Sequence, residues 1–428
     1  MKVLVVGSGG REHALCWNLA RSPRVDALYC APGNPGTAQV AERVAIGAED
    51  LEGLAVFAER SHIDLTVVGP EQPLVAGIAE AFAARGLALL GPSAAAAALE
   101  GSKAFAKEFL VRQGIPTARS EIVTSEDVAR RAARELGLPV VLKADGLAAG
   151  KGVLIPETEE ELERALVVFF AERRFGDSGD TIVVEEHLTG EEVSSIAVSD
   201  GERLLVLATA KDYKRIGEGD SGPNTGGMGA HSPSGLVDQG LARRIEEEIL
   251  RPTVAGMVRE GRPFRGFLYA GLMLTDDGPK VLEFNVRLGD PEAQALLLRL
   301  ESDLVPVLAG AAAGRLPPEP LRFLPAVSAC VVLTNEGYPD KTISGDVIEG
   351  LDGPFGADVE VFHAGTGERD GGIVATGGRV LNVCARGDDL AQALERAYAA
   401  VAGIRWPRRV LRRDIGRRML ERPGFAAL

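Results

Sequence analysis

The stretch KVLEFNVRLGDPE, residues 280–292, carries polar side chains at every second position of a strand-like run. These are Glu283, Asn285 and Arg287. Because side chains alternate between the two faces of a strand, all three are expected on one face. A carboxylate and an amide oxygen suit a magnesium ion held mainly by nucleotide phosphates, and an arginine beyond them suits a reacting phosphate or carboxylate. A solvated strand face would explain one such residue but explains three poorly.

The glycine-rich stretch GLAAGKG, residues 146–152, lies between two strand-like runs, PVVLKAD and VLIPE. It is not a P-loop, because three residues rather than four separate Gly146 from Gly150, and Gly152 replaces the expected Ser or Thr. It is typical of a hairpin tip, whose glycines allow close approach while Lys151 and backbone N–H groups face a triphosphate. The stretch alone leaves a nucleotide lid and a mobile hairpin equally open.

Two more lysines favour the nucleotide lid. Lys143 ends the strand before the loop, and Lys103 opens the helix of SKAFAKEF. A triphosphate requires more than one positive charge. The sequence therefore predicts that Lys103, Lys143 and Lys151 surround the phosphates of a nucleotide triphosphate.

A second glycine-rich turn, GSGGRE at residues 7–12, follows a strand and opens a helix. It differs from a dinucleotide fingerprint, because Glu12 occupies the third glycine position and the next strand ends in Cys30-Ala31 without a ribose-binding acid. The helix N-terminus still suits one phosphate, with Gly9, Gly10 and Arg11 beside it. A tight turn without a ligand is the alternative.

The elements that must position these groups fall into three regions. Residues 1–101 alternate strand-like and helical runs, which predicts a doubly wound parallel α/β sheet. Residues 102–316 mix helices with hairpins that turn at Asp200-Gly201 and Asp276-Asp277-Gly278, which predicts α+β structure with a lid at about 118–188. A proline-rich linker then precedes a small antiparallel α+β module over residues 326–428.

Composition limits the class of partner. The 428 residues carry a net charge of -14, which argues against broad nucleic-acid binding. The four scattered cysteines indicate buried thiols rather than a zinc site or disulfides. Since no signal peptide and no apolar run of membrane-spanning length is recognised, we expect a cytoplasmic protein without a membrane partner.

The order and spacing of these motifs resemble the ATP-grasp superfamily. The resemblance rests on Lys103, Lys143, the GLAAGKG loop, EEHLTGEE and the EFN strand. A closer resemblance, to the glycinamide ribonucleotide synthetase family, is carried by longer stretches over residues 1 to about 418: GSGGREHA, APGNPGTA, VGPEQPL, LEGSKAF, KADGLAAGKGV, GPNTGGMGA, RLGDPEAQ, HAGT and GGRV.

The resemblance implies a role for each matching residue. ATP would contact Lys103, Lys143, Gly150, Lys151, the backbone from Glu186 to Leu188, and Glu192 through its ribose. Magnesium, or manganese in its place, would be bound by Glu283 and Asn285. The preceding strand, LYAGLML, lacks the further acid found in many superfamily members, so water and phosphate would complete the metal site.

The implied substrates are ATP, glycine and 5-phosphoribosylamine. Lys151, Arg287 and Asp212 would serve catalysis, and Lys214 and Arg287 would bind substrate. Asp212, Lys214 and Arg215 of KDYKR would line the glycine and acyl phosphate region. The phosphoribosylamine would contact the glycine turns and Glu71, through Gly9, Gly10, Arg11, Asn34 and Gly36. In this family an acyl phosphate forms and an amine displaces its phosphate, which agrees with the lack of a nucleophile–base triad.

Two other interpretations remain at this stage. One is a different ATP-grasp purine ribonucleotide ligase, against which RLGDPE and NTGGMGA weigh. The other is a nucleotide-binding regulator without turnover, which would not need Lys151, Glu283, Asn285 and Arg287 together. We expect a monomer.

Overall fold

The computed structural model describes residues 1–147 and 152–422, and its N-terminal part is a parallel sheet with strand order β3-β2-β1-β4-β5. The elements are β1 Lys2–Gly7, α1 Gly10–Leu19, β2 Ala27–Pro32, β3 Glu42–Arg43, α2 Leu51–Arg60, β4 Leu65–Val68, α3 Glu71–Val75, α4 Ile78–Ala83, β5 Leu89–Leu90 and α5 Ala94–Gly101. Alternate residues of β1 enter different cores: Val3 packs with Leu15 of α1, and Leu4 packs with Leu54 of α2. Helices thus cover both faces, which confirms the doubly wound sheet.

The next part is a four-stranded sheet with order β6-β9-β7-β8. Its elements are α6 Lys103–Arg112, β6 Ser120–Val123, α7 Glu126–Leu136, β7 Val140–Ala144, β8 Val153–Leu154, α8 Glu159–Leu166 and β9 Ile182–Glu186. Strands β7 and β8 pair antiparallel, with Leu142 opposite Leu154. The GLAAGKG stretch is therefore flanked by a strand pair, as predicted.

The chain then builds one half of a large antiparallel sheet and a separate two-stranded sheet of β12 and β13. Its elements are β10 Glu191–Asp200, β11 Leu204–Asp212, β12 Arg215–Gly217, β13 Ser221–Asn224, β14 Gly229–Ser232, α9 Gln239–Ile245, α10 Arg251–Arg259, β15 Arg265–Thr275, β16 Gly278–Asn285, α11 Glu292–Arg299 and α12 Val305–Ala312. Both predicted hairpin turns are confirmed, because β10 pairs with β11 and β15 pairs with β16, antiparallel in each case.

The C-terminal elements are β17 Val327–Asn335, β18 Val359–His363, β19 Thr366–Arg369, β20 Gly372–Ala375, β21 Arg379–Gly387, α13 Leu390–Gly403, β22 Arg409–Val410 and α14 Arg417–Leu420. The antiparallel pairing of these strands was predicted, but their continuation of the preceding sheet was not. Strand β17 pairs with β14, so one sheet runs continuously in the order β16-β15-β10-β11-β14-β17-β21-β18. This pairing gives β14 hydrogen-bonding partners on both sides, a long-range effect that local sequence patterns do not reveal.

The four cysteines lie in the interior. All of them are free and buried, as their scattered positions predicted. No helix within residues 1–147 and 152–422 is long and apolar enough to cross a bilayer.

Candidate functional site

The end of β16 carries the predicted metal ligands. Glu283 lies opposite Gly271 of β15, and Asn285 is the last residue of the strand. Arg287 lies two residues beyond the strand, so the predicted run of three strand positions is too long by one. Its guanidinium nevertheless reaches back and donates from Nη2 to Asn285 Oδ1 over 3.1 Å. The structure thus brings Asn285 and Arg287 into contact, with Glu283 two residues before Asn285 on the same strand.

Lysines keep Glu283 ionised. Burial raises the pKa of Glu283, but Lys214, Lys143 and Lys103 outweigh that effect and hold it below its ordinary value. Lys214 forms an ion pair with Glu283, and its Nζ lies 3.8 Å from Glu283 Oε1. A carboxylate surrounded in this way presents negative charge at neutral pH.

Lys103 and Lys143 converge from different elements. From the first turn of α6, Lys103 donates from Nζ to Gly146 O over 2.7 Å, and burial lowers its pKa. From β7, Lys143 donates to Leu282 O over 3.1 Å. Both ammonium groups therefore lie close to β16 and Glu283. Their contact with nucleotide phosphates stays a prediction. The other predicted phosphate contacts, Gly150 and Lys151, lie outside the described residues.

The donor set at β16 fits a divalent ion that is shared with phosphate. Glu283 supplies an ionised carboxylate, and Asn285 Oδ1 has a second lone pair besides the one that accepts from Arg287. Within the part of the chain that the structure describes, no group of three or more His, Cys, Asp or Glu residues is arranged to hold a metal. Such a site suits an ion that keeps water and substrate oxygens as its remaining ligands.

The predicted adenine edge lies beside an apolar cluster, in which Leu188 packs with Ala118, Met273 and Leu282. The Glu186 side chain is paired with Arg119, whose Nε donates to its carboxylate over 2.7 Å, and Glu186 N donates to Arg119 O over 3.0 Å. The cluster supplies apolar surface of the kind that contacts a purine ring.

Glu192, Asp212 and Lys214 form a charged cluster next to Glu283. Lys214 Nζ lies 2.9 Å from Glu192 Oε2 and lowers the pKa of that carboxyl. Burial raises the pKa of Asp212 to about 7, although Lys214 opposes it. Burial also lowers the pKa of Lys214, but the carboxylates of Asp212, Glu192 and Glu283 outweigh it and hold it well above its ordinary value. Lys214 is thus a permanent cation, whereas Asp212 is balanced between its two protonation states near neutral pH.

Arg287 joins the segment after β16 to the N-terminal region. Its Nε lies 3.1 Å from Glu71 Oε2, and its Nη2 lies 3.0 Å from Glu100 Oε1. Burial raises the pKa of Glu100 to about 7 despite Arg287, and Glu100 also accepts from Val286 N over 2.7 Å. The predicted Glu71 therefore lies beside the predicted Arg287. Glu100 was missed, and its place directly before the GSKAF helix was the available signal.

The GSGGRE turn is already engaged within the protein. Gly9 N donates to Glu12 Oε2 over 2.6 Å, and the buried Arg11 donates from Nη1 to Leu288 O over 3.1 Å. A Cβ on Gly10 would lie 2.1 Å from Asn382 Nδ2, so this glycine permits close packing of α1. The predicted phosphate contacts at these residues would have to replace bonds that exist in the structure.

Asn34 and Gly36 are similarly engaged. The Asn34 amide donates to Ser8 O and His363 O, each over 2.8 Å, and accepts from Gly36 N and Thr37 N. These four bonds use the full capacity of the side chain. The geometry favours a structural role, in which Asn34 ties the APGNPGT turn to the C-terminal strands.

The sequence reasoning also missed Asp290, Glu292 and Arg379. Arg379 of β21 donates to Gly226 O over 2.5 Å and to Asp290 O over 2.6 Å, which joins the NTGGMG loop to the segment after β16. Glu292, at the start of α11, is almost fully buried. Ser194 Oγ donates a hydrogen bond to its Oε1 over 3.4 Å. The motifs RLGDPE and GGRV contain these residues, but side-chain roles cannot be read from a motif alone.

Comparison with known proteins matches this arrangement along the chain. Models described as phosphoribosylglycinamide synthetase N domain, ATP-grasp (A) domain and C domain match residues 1–100, 101–293 and 328–418. Curated phosphoribosylamine–glycine ligases of Xanthomonas axonopodis pv. citri and Salmonella typhimurium are each 51% identical over 426 residues, with 99% of both chains covered.

Solved structures give the same result. The crystal structure of phosphoribosylamine–glycine ligase from Thermotoga maritima matches with a TM-score of 0.85 at 34% identity, covering 97% of this chain and all of that one. The biotin carboxylase domain of a Hydrogenobacter thermophilus 2-oxoglutarate carboxylase, in complex with Mg-ADP, matches with a TM-score of 0.74 at 18% identity, covering 95% of this chain and 91% of that one. The second likeness concerns the fold alone.

Proposed function

The chain belongs to the phosphoribosylglycinamide synthetase family, and on that premise we propose that it ligates glycine to 5-phosphoribosylamine at the expense of ATP, in purine biosynthesis. The products are phosphoribosylglycinamide, ADP and phosphate. The observation that carries the proposal is the ionised Glu283 beside Asn285, with Lys103, Lys143 and Lys214 around them. This arrangement provides positive charge for phosphates and two oxygen ligands for a divalent ion.

ATP would lie between β16 and the four-stranded sheet β6-β9-β7-β8, which we call the lid sheet. Its purine would contact the apolar cluster of Ala118, Leu188 and Met273, and Glu192 would accept the ribose hydroxyls. Lys103 and Lys143 would contact the phosphates, together with Lys151 from the loop. Magnesium, or manganese in its place, would be bound by Glu283 and Asn285 and would neutralise charge on the phosphates.

In the first step a carboxylate oxygen of glycine attacks the γ-phosphorus of ATP, the bond to the β-phosphate oxygen breaks, and ADP and glycyl phosphate form. Arg287 would position the glycine carboxylate and neutralise charge on the transferred group. The almost fully buried Glu292, together with Asp212, would receive the glycine ammonium group.

In the second step the amine of phosphoribosylamine attacks the acyl carbon, the bond to phosphate oxygen breaks, and the amine loses a proton. Asp212, with a pKa raised to about 7, is suited to accept that proton. Glu71 would accept the ribose hydroxyls beside Arg287. No covalent bond to the enzyme is required.

The test is ADP formation with magnesium ATP, with glycine and freshly generated phosphoribosylamine supplied separately and together. The proposal requires ADP release that depends on both substrates and yields phosphoribosylglycinamide by mass spectrometry. ADP release that needs neither substrate would contradict it. We also propose that the protein acts in the cytoplasm without nucleic-acid or membrane partners. We propose further that it is a monomer, which light scattering of the purified enzyme would test.

A further inference from the structure

Behind the proposed phosphate lysines lies a group of three buried charges. Glu185 of β9 is shared by two lysines: its Oε1 lies 3.2 Å from Lys107 Nζ, and its Oε2 lies 3.0 Å from Lys143 Nζ. The side chains of Lys107, Glu185 and Lys143 are 5%, 4% and 12% exposed. We call these residues the Glu185 triad. Charges buried to this degree interact strongly, because little water screens them.

The triad is held in place by the body of the protein. Lys107 also donates to Thr117 Oγ1 over 2.7 Å, and Thr117 Oγ1 donates to Val281 O of β16 over 2.8 Å. On the other side, Lys143 donates to Leu282 O of the same strand. The triad therefore fastens β7 and β9 of the lid sheet to β16, immediately before Glu283.

The charge count within the triad has a direct consequence for nucleotide binding. Two ammonium groups and one carboxylate leave a net charge of about +1 while both lysines are protonated. Without the charge of Lys107, Glu185 would neutralise Lys143, and the triad would present no net charge to a phosphate. Lys107 reaches no proposed ligand itself, so its influence would act through Glu185.

We propose that Glu185 is a positioning residue for the nucleotide and that Lys107 sets the positive charge which Lys143 presents to the phosphates. Glu185 fixes the Lys143 ammonium beside β16, and Lys107 keeps that carboxylate from cancelling it. This inference rests on the proposed function only through its ATP site.

The surroundings of Lys107 make the effect pH-dependent. Burial lowers the pKa of Lys107 to about 8; Glu185 and Glu186 raise it and Lys143 lowers it, without offsetting burial. Above that pH Lys107 loses its proton and the triad becomes neutral. Binding of an ATP analogue should therefore weaken between pH 7 and pH 9.

The experiment measures the dissociation constant of the magnesium complex of β,γ-imido-ATP by calorimetry at pH 7 and pH 9. Lys107→Met should weaken binding about tenfold at pH 7 and have little effect at pH 9. The double variant Lys107→Met with Glu185→Gln restores a net charge of one on Lys143, while the glutamine oxygen can still accept from the ammonium and hold it in place. It should therefore bind more tightly than Lys107→Met alone. Lys107→Arg, which keeps its charge at both pH values, should abolish the weakening at pH 9.

Lys2→Met serves as the control, because Lys2 lies on β1 and donates to Ser61 O far from the triad. Thermal unfolding of each variant confirms folding, and if Lys107→Met does not fold, Lys107→Arg decides the question. Equal pH dependence in Lys107→Arg and the unchanged enzyme would overturn the proposal, as would a double variant weaker than Lys107→Met. Because this binding needs neither glycine nor phosphoribosylamine, its failure is distinguishable from a failure of the ligase assignment.

Discussion

Glu283 is the proposed metal ligand that carries a negative charge, and three lysines keep it ionised. Glu283→Gln keeps the shape and removes the charge. We expect kcat/KM to fall by about 100-fold and the magnesium concentration for half-maximal activity to rise. Glu301→Gln, at an exposed glutamate paired with Arg322, is the matched control. Unchanged magnesium dependence of Glu283→Gln would remove this residue from the metal site.

Arg287 neutralises two buried carboxylates and also lies where glycine would react. Arg287→Met leaves Glu71 and Glu100 without their cation, so we expect the free energy of unfolding to fall by about 3–5 kcal/mol. Activity should fall by about 100-fold or more, because charge neutralisation at the transferred phosphoryl group is lost.

Arg85→Met is the control for Arg287→Met. Arg85 also bridges two glutamates, Glu52 and Glu59, but at the surface. Its replacement should cost no more than about 1 kcal/mol and leave turnover intact. Urea denaturation and ADP assays on both variants compare the two positions. Reduced stability of Arg287→Met with turnover as intact as in Arg85→Met would mean that Arg287 stabilises the fold without a part in catalysis.

At the scale of elements, β21 reaches into the site from the C-terminal region. Arg379 holds the loop at Gly226 and the segment at Asp290, next to the proposed glycine and phosphoribosylamine sites. Arg379→Met should raise the KM for these two substrates about tenfold or more while leaving the KM for ATP within about twofold. Arg408→Met, which removes the Asp346 pair in the same region, is the control. A change confined to ATP would contradict this assignment.

The elements also show how far the sequence alone could lead. Period-two spacing correctly grouped Glu283 with Asn285, and tight-turn residues located both hairpins, because these are local effects. The pairing of β14 with β17 and the shared bonds of Glu185 depend on residues far apart in the chain. Asn34 lay in a glycine-rich turn that suggested phosphate binding, yet its amide is used by Ser8 and by the distant His363.

For the molecule as a whole, a buried histidine pair joins the first and last regions. His363 N donates to His13 Nδ1 over 2.8 Å. Burial, and for His13 also His363, lowers the pKa of His13 to about 3, while burial lowers that of His363 to about 4. The unfolded chain protonates both below about 6.5 whereas the folded protein does not, so stability is lost as pH falls below that value.

As pH falls from 6.5 to 5, protonation of each of these histidines in the unfolded chain should lower the free energy of unfolding by about 2 kcal/mol. His13→Asn retains an acceptor for His363 N but does not titrate, so its stability should fall about 2 kcal/mol less over this range than that of the unchanged protein. His62→Asn, at an exposed histidine, should leave the pH dependence as it is. Urea denaturation at the two pH values makes the comparison, and identical slopes for His13→Asn and the unchanged protein would contradict it.

The proposed reaction activates glycine as an acyl phosphate formed from ATP. Glycine labelled with ¹⁸O at both carboxylate oxygens, supplied with magnesium ATP and phosphoribosylamine, tests this step through the label found in the released phosphate by mass spectrometry. Because the attacking carboxylate oxygen leaves with the phosphate, we expect one labelled oxygen in each phosphate formed. Phosphate without label, formed while ADP accumulates, would show that water attacks ATP instead and that no glycyl phosphate forms.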